Sequence, residues 1–113
     1  MPYLVTAIIK PFKLEEVKEN LRAAGMLGLT VSEVSGFGRQ GGKTESFRGS
    51  EYKMEFVPKV KIEVLVEKSE LNKVIDLIAS SAHTGKVGDG KIWSVELSSL
   101  MRVRTSEQGD DAI

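Results

Sequence analysis

The pattern of apolar and polar positions changes period along the chain and does so twice over. From Tyr3 to Lys10 the run Tyr-Leu-Val-Thr-Ala-Ile-Ile-Lys is β-rich and ends at Pro11, which cannot continue a central ladder. Leu14, Val17 and Leu21, then Ala24, repeat at helical spacing, with Glu15, Glu16, Lys18 and Glu19 turned outward and Gly25 suited to the helix stop. Leu29 to Phe37 is β-branched and reads as a second strand. Further on, Val60, Ile62, Val64 and Val66 alternate with Lys59, Lys61, Glu63, Leu65 and Glu67, which predicts a strand with one apolar face. Leu71, Val74, Ile75 and Ile78 then follow at helical spacing, with Ser69 expected to cap the helix start. A glycine-rich turn from Thr84 to Gly90 leads into the strand Lys91–Leu97, and Leu100 to Arg104 reads as a short extra strand or edge segment.

The order β-α-β, loop, β-α-β predicts an α+β fold. Two split βαβ units give a ferredoxin-like βαββαβ sandwich, a four-stranded antiparallel sheet with both helices on one face. The first strand carries Leu4, Val5, Ala7, Ile8 and Ile9 on both of its faces, so the uncovered side of the sheet would expose apolar side chains, and self-association is the natural remedy.

With 113 residues the chain reads as one domain, 1–113, carrying a long flexible loop over 38–57 and a tail over 105–113. Sixteen basic against sixteen acidic residues give a net charge of +0, which removes the uniform phosphate attraction behind nonspecific nucleic-acid binding. There is no Cys and one His, His83, which argues against disulfides, thiolate chemistry and zinc. No apolar run nears the ~18 residues of a membrane span, and the start Met-Pro-Tyr-Leu-Val lacks a basic flank, so a cytoplasmic protein is expected. No base, nucleophile and orienting group assemble from this inventory, and no enzyme is expected. His83 is expected to serve the carbonyls at the end of the second helix, and Trp93 to be packing.

Three short motifs remain. Gly36-Phe37-Gly38-Arg39-Gln40-Gly41 matches G-x-G-x-x-G after a strand, but no helical period follows to complete a dinucleotide fold; what survives is bare backbone amide. Gly85-Lys86-Val87-Gly88-Asp89-Gly90-Lys91 falls short of a Walker loop because Ile92 stands where a hydroxyl belongs and a helix runs into a strand. Its glycines and lysines still suit an anion-binding nest. In Arg102-Val103-Arg104 an extended backbone would send both guanidiniums to one side, as a polyphosphate requires. The 38–57 stretch is long for a connection and carries the hydroxyls Thr44, Ser46, Ser50 and Tyr52 near its middle, as a recognition or modification loop would.

The chain resembles the PII signal-transduction proteins from Tyr3 to Ile113. The resemblance is carried by Ile9-Lys10-Pro11-Phe12-Lys13-Leu14, Gly36 to Gln40, Arg48-Gly49-Ser50-Glu51-Tyr52, Pro58 to Glu63, Thr84 to Lys91 and Arg102-Val103-Arg104-Thr105. It departs from the family's commonest pattern at Gly41, Phe47 and Ser106. The resemblance implies a homotrimer with inward-facing sheets and ATP or ADP in the clefts between subunits. Gly36, Gly38, Arg39 and Gln40, with Gly88, Asp89, Gly90 and Lys91, would form one wall; Gly28, Thr30, Glu63, Leu65, Arg102 and Arg104 would come from the neighbour. It further implies 2-oxoglutarate beside MgATP at the root of the long loop, which in this family is called the T-loop, with Gln40 on Mg²⁺, Lys59 on a carboxylate and Gly42 allowing close approach. Tyr52 and Ser50 match modification sites. The implied role is a regulator of nitrogen metabolism acting through loop conformation on targets such as an ammonium channel or nitrogen-metabolism enzymes, with no nucleic-acid partner and a membrane reached only through a channel. The alternative is an RRM-like RNA-binding module, which shares the βαββαβ order and carries Gly-Phe-Gly in its RNP1 motif.

Overall fold

The structure, a computed structural model, describes residues 1–38 and 55–113. Its elements run β1 (Pro2–Ile9), α1 (Leu14–Ala23), β2 (Thr30–Gly36), β3 (Val57–Glu67), α2 (Leu71–Ala82) and β4 (Lys91–Glu96). All strand pairs are antiparallel, in the order β2-β3-β1-β4. This is the expected α+β sandwich.

The alternation along β3 decides which face is covered. Val60, Ile62, Val64 and Val66 are buried together with Val5, Ala7 and Ile9 of β1, under Val17 and Leu21 of α1 and Val74 and Ile78 of α2. The helices are tied at one polar point, where Asn20 Nδ2 donates to Ser81 Oγ (2.8 Å) and Ser81 Oγ donates to the Leu77 carbonyl (2.7 Å), so the buried hydroxyl is satisfied. The stop of α1 is the one expected from Gly25. At φ +97 it lets its own N–H reach the Arg22 carbonyl (3.0 Å) and the Met26 N–H reach Leu21 (3.0 Å), the paired bonds of a Schellman ending.

Among the described residues, no helix covers the opposite face. Register puts Leu65, Leu4 and Val95 in one row across it and Glu63, Thr6 and Trp93 in the next. Trp93 and Val95 are about half exposed, at 47% and 49%, so within the single chain Trp93 lies outside the core, on the uncovered face. It points away from Ile92, which packs against the core.

Three further expectations change. Ser69 caps nothing: it sits inside a 3-10 turn, Lys68–Glu70, and the residue before α2 is Glu70, whose side chain makes no capping bond. Leu100 to Arg104 forms no strand. A single bridge, Met101 with Gln108, closes a tight turn in which Arg102 N–H donates to the Glu107 carbonyl (2.9 Å) and Ser106 N–H to the Arg102 carbonyl (2.8 Å). Ser106 reverses the chain there at φ 64, a left-handed conformation that glycine adopts more readily. Finally, β3 begins at Val57, inside the expected loop. The remainder of the 38–57 expectation, residues 39–54, lies outside the described residues. The tail folds back, with a 3-10 turn at Gly109–Ala112 and Ala112 buried.

Candidate functional site

Gly36 and Gly38 come to β2's end, and Gly88, Gly90 and Lys91 to β4's start, about fifty residues apart in sequence and in one cleft. Its volume is about 480 Å³, and Ile8, Val57, Lys59, Val87 and Trp93 complete its lining. The glycine loop is shaped by backbone conformation: Gly85, Gly88 and Gly90 all have positive φ. At Gly90 the demand is absolute, because a Cβ would lie 1.7 Å from the Ile8 carbonyl oxygen of β1. That close approach seats the loop on the sheet edge.

Two side chains fix the loop. Lys59 Nζ, from β3, donates to the Gly88 carbonyl (2.6 Å). Burial holds the Lys59 ammonium below the usual lysine range, and neighbouring Lys10 pushes it the same way, against a smaller pull from Asp89. The Asp89 carboxylate accepts from Thr84 Oγ1, from Thr84 N–H (2.8 Å) and from Gly85 N–H (2.9 Å), and pairs with Lys10 Nζ at 3.3 Å. These donors, the Thr84 hydroxyl foremost, hold it far below the ordinary carboxylate range. His83 does not serve the helix carbonyls as expected: its exposed ring stands with Nδ1 3.9 Å from Asp89.

Gly28, Thr30, Glu63 and Leu65 line a second cleft of about 570 Å³, with Leu27, Glu67 and Ile113. Thr30 and Gly36 are the two ends of β2, roughly 20 Å apart at a strand's rise per residue, so within one chain the two clefts stay separate. Arg102 joins the second cleft through the tail: its guanidinium donates to Glu107 Oε1 (2.7 Å) and to the carbonyl of Ile113 (2.8 Å). Arg104 is exposed on the turn, where the backbone is not the extended strand on which the same-side pairing of the two arginines depends. Arg39, Gln40, Gly42, Ser50 and Tyr52 lie outside the described residues. Lys10 and Thr84 were not anticipated as site residues; their contact spans 74 positions, which no local pattern discloses.

Chemically, the first cleft offers the ammonium groups of Lys59 and Lys91, a glycine loop and an apolar wall, a combination suited to an anionic ligand with a flat apolar part. Among the described residues no group of three or more His, Asp or Glu could hold a metal ion, and no helix is long and apolar enough to cross a membrane. The RNA-binding alternative needs stacking aromatics on central strands. Phe37 instead follows β2, an edge strand, and pairs edge-to-face with Phe56 (5.5 Å).

The family model "Nitrogen regulatory protein P-II" matches residues 3–107. Nitrogen regulatory protein GlnK of Escherichia coli K12 is 54% identical over 110 residues, 97% of this chain and 98% of that protein. Nitrogen regulatory protein P-II of Azospirillum brasilense is 54% identical over 109 residues, 96% and 97% of the two chains. The crystal structure of Arabidopsis thaliana PII bound to citrate superposes with a TM-score of 0.81 at 38% identity, covering 99% of this chain and 92% of that one. Agreement of this breadth in both sequence and fold means that the chain belongs to the nitrogen regulatory protein P-II family and is a signal-transducing regulator of nitrogen metabolism, not an enzyme.

Proposed function

We propose that this protein is a cytoplasmic homotrimer that senses ATP or ADP together with 2-oxoglutarate and reports them to target proteins through its long loop. The supporting observation is the pair of clefts. Gly36, Gly38, Gly88, Gly90 and Lys91 gather in one, Gly28, Thr30, Glu63 and Leu65 in the other, at opposite ends of the same protomer. Each is half of a nucleotide site, and a second copy completes both. The glycine loop and Lys91 take the phosphates, and Arg102 and Arg104 of the neighbouring copy add charge. The apolar rows on the helix-free face, Leu4, Leu65, Trp93 and Val95, are the surface that assembly would cover.

Within that site Lys59 is the group that pairs with a 2-oxoglutarate carboxylate, and Gln40 and Gly42 act beside it, Gln40 on Mg²⁺ when nucleotide is bound. The citrate held by the Arabidopsis relative, a polycarboxylate, is in keeping with a carboxylate-binding role. Nucleotide and keto acid act on the loop because they favour some of its conformations over others. Modification at Tyr52 or Ser50 adds bulk and negative charge to the loop that targets read, an ammonium channel or a nitrogen-metabolism enzyme among them.

Calorimetry tests the reading. ATP is expected to bind alone, and 2-oxoglutarate only when Mg²⁺ and ATP are both present. Keto-acid binding in the absence of nucleotide contradicts the proposed site, and so does a chain that binds no adenine nucleotide.

A further inference from the structure

The glycine loop that lines the first cleft through Gly88, Gly90 and Lys91 carries one carboxylate, Asp89, and this loop is expected to face a polyanion. A free carboxylate there would repel phosphate. Asp89 is not free. Both of its oxygens are engaged: Oδ1 by the Thr84 hydroxyl and Lys10 Nζ (3.3 Å), Oδ2 by the N–H groups of Thr84 (2.8 Å) and Gly85 (2.9 Å). Lys10 Nζ also donates to Thr84 Oγ1 (3.1 Å), so the three side chains close on one another. We infer that Asp89 is a positioning residue that never touches the bound nucleotide, and that with Lys10 and Thr84 it forms a clamp giving the glycine loop its ligand-ready shape before ligand arrives. This rests on the nucleotide reading above and assigns residues that act through the loop, not on the ligand.

The geometry carries the inference in three steps. The carboxylate of residue 89 bonds back to the amides of residues 84 and 85, which ties the loop's end to its start and leaves little freedom between them. Lys10 follows directly on β1 and its side chain is only 11% exposed, so the clamp is anchored in the sheet. Gly90, one residue after Asp89, lies against the Ile8 carbonyl of the same strand. With the ends of the loop pinned on β1, the Gly88 carbonyl is presented to Lys59. A loop ordered in advance does not lose that conformational freedom on binding, and affinity rises accordingly.

The titratable groups facing Asp89 are Lys10 from the end of β1 and His83 from the end of α2; Lys59 of β3 stands beyond them, close enough to feel both Lys10 and Asp89. Asp89 therefore neutralises Lys10 and leaves Lys91, with Lys59 on the Gly88 carbonyl, as the ammonium groups lining the first cleft.

The experiment pairs ATP calorimetry in EDTA with amide hydrogen exchange on the ligand-free full chain. Asp89→Asn, Lys10→Gln and Thr84→Val are each expected to weaken ATP binding about tenfold, the effect of losing a charge-assisted bond, and Thr84→Ser to recover the affinity because it keeps the hydroxyl. In ligand-free Asp89→Asn the Gly85 amide is expected to exchange at least about tenfold faster while Ile62 in β3 keeps its rate, which separates a local clamp from general unfolding. Equal or tighter ATP binding by Asp89→Asn overturns the inference and marks Asp89 as a repelling group facing the ligand. Unchanged Gly85 exchange overturns the clamp even where ATP still binds. A wild-type chain that binds no ATP, with Gly85 exchange responding as expected, removes the nucleotide reading while the loop tie stands.

Discussion

Lys59 Nζ donates to the carbonyl oxygen of Gly88 at 2.6 Å, joining the start of β3 to the glycine loop before β4. The bond links two segments that flank one cleft, the start of β3 and the turn between α2 and β4, at the two ends of the second βαβ unit. An ammonium engaged this way gives up a neutral carbonyl more readily than a carboxylate, since bonds between two charged groups are the stronger. A dicarboxylate arriving in the cleft would therefore take Lys59 from Gly88, and the two segments would register its arrival together.

The pH dependence of keto-acid binding follows from the same lysine. Burial and Lys10 lower its pKa, so it loses its proton before an ordinary lysine at about 10.4 does. Between the lowered folded value and the unfolded one the unfolded chain holds more protons, so this group's contribution to stability rises with pH there. Carboxylate binding has the opposite sign, because it needs the ammonium. Titrations at fixed ATP and Mg²⁺ are expected to show 2-oxoglutarate affinity falling as pH rises from neutral, starting below the ordinary lysine range, and Lys59→Gln is expected to bind weakly with a flat profile.

Gly90→Ala is expected to destabilise the protein by about 2 kcal/mol, the scale of a non-glycine residue forced into a conformation its surroundings must hold. At φ +106 with Ile8 O at 1.7 Å from the added carbon, strain and collision coincide, and the obstacle is backbone, which cannot swing aside. Denaturant unfolding measures the loss. By contrast, among the described residues nothing lies near where a Cβ would go at Gly36 or Gly38, so alanine at either is expected to leave the chain's stability unchanged.

The fold was legible wherever a residue's own burial sets the pattern. Val60, Ile62, Val64 and Val66, and Val17 with Leu21, are buried as their spacing requires, and Gly25 ends α1 because only its φ allows the paired bonds there. Legibility failed where a neighbour decides. Ser69 has a capping side chain, but a 3-10 turn starts the helix around it. Arg102 to Arg104 is apolar-flanked like a strand, but Ser106 at φ 64 turns the chain and Glu107 holds Arg102. In the candidate site the glycines could be read because their spacing is local, whereas Lys10 and Thr84 could not, since what unites them with Asp89 is the β1–β4 pairing that sets Ile8 opposite Lys91.

Lys91→Ala and Arg104→Ala are each expected to weaken ATP binding by about 1.5 to 3 kcal/mol, the range for a charge-assisted contact to phosphate. The structure distinguishes them from Arg102, whose guanidinium already has Glu107 and the Ile113 carbonyl as partners within the chain. Arg102→Ala removes those tail contacts as well as any phosphate contact. Its loss of affinity is therefore expected to come with loss of thermal stability, measured by calorimetric melting, while Arg104→Ala melts as the wild type does.

The helix-free sheet face supplies the last prediction. Leu65, Leu4 and Val95 form an apolar row across three strands, and Val95 sits on β4, an edge strand, about half exposed in the single chain. A charge placed there meets water in a lone protomer and little penalty, but in an assembly that buries the face it is a desolvated, unpaired carboxylate. Val95→Asp is therefore expected to keep its circular dichroism spectrum while its mass in the analytical ultracentrifuge drops from about 37 kDa, three times 12.4 kDa, to that of one chain. ATP affinity is expected to fall with it, because the cleft of Gly88 and Lys91 and the cleft of Thr30 and Glu63 would no longer face each other across two copies. A wild-type chain that binds ATP while sedimenting as a single protomer, or a monomeric Val95→Asp variant that binds ATP unchanged, shows that one copy holds its nucleotide alone.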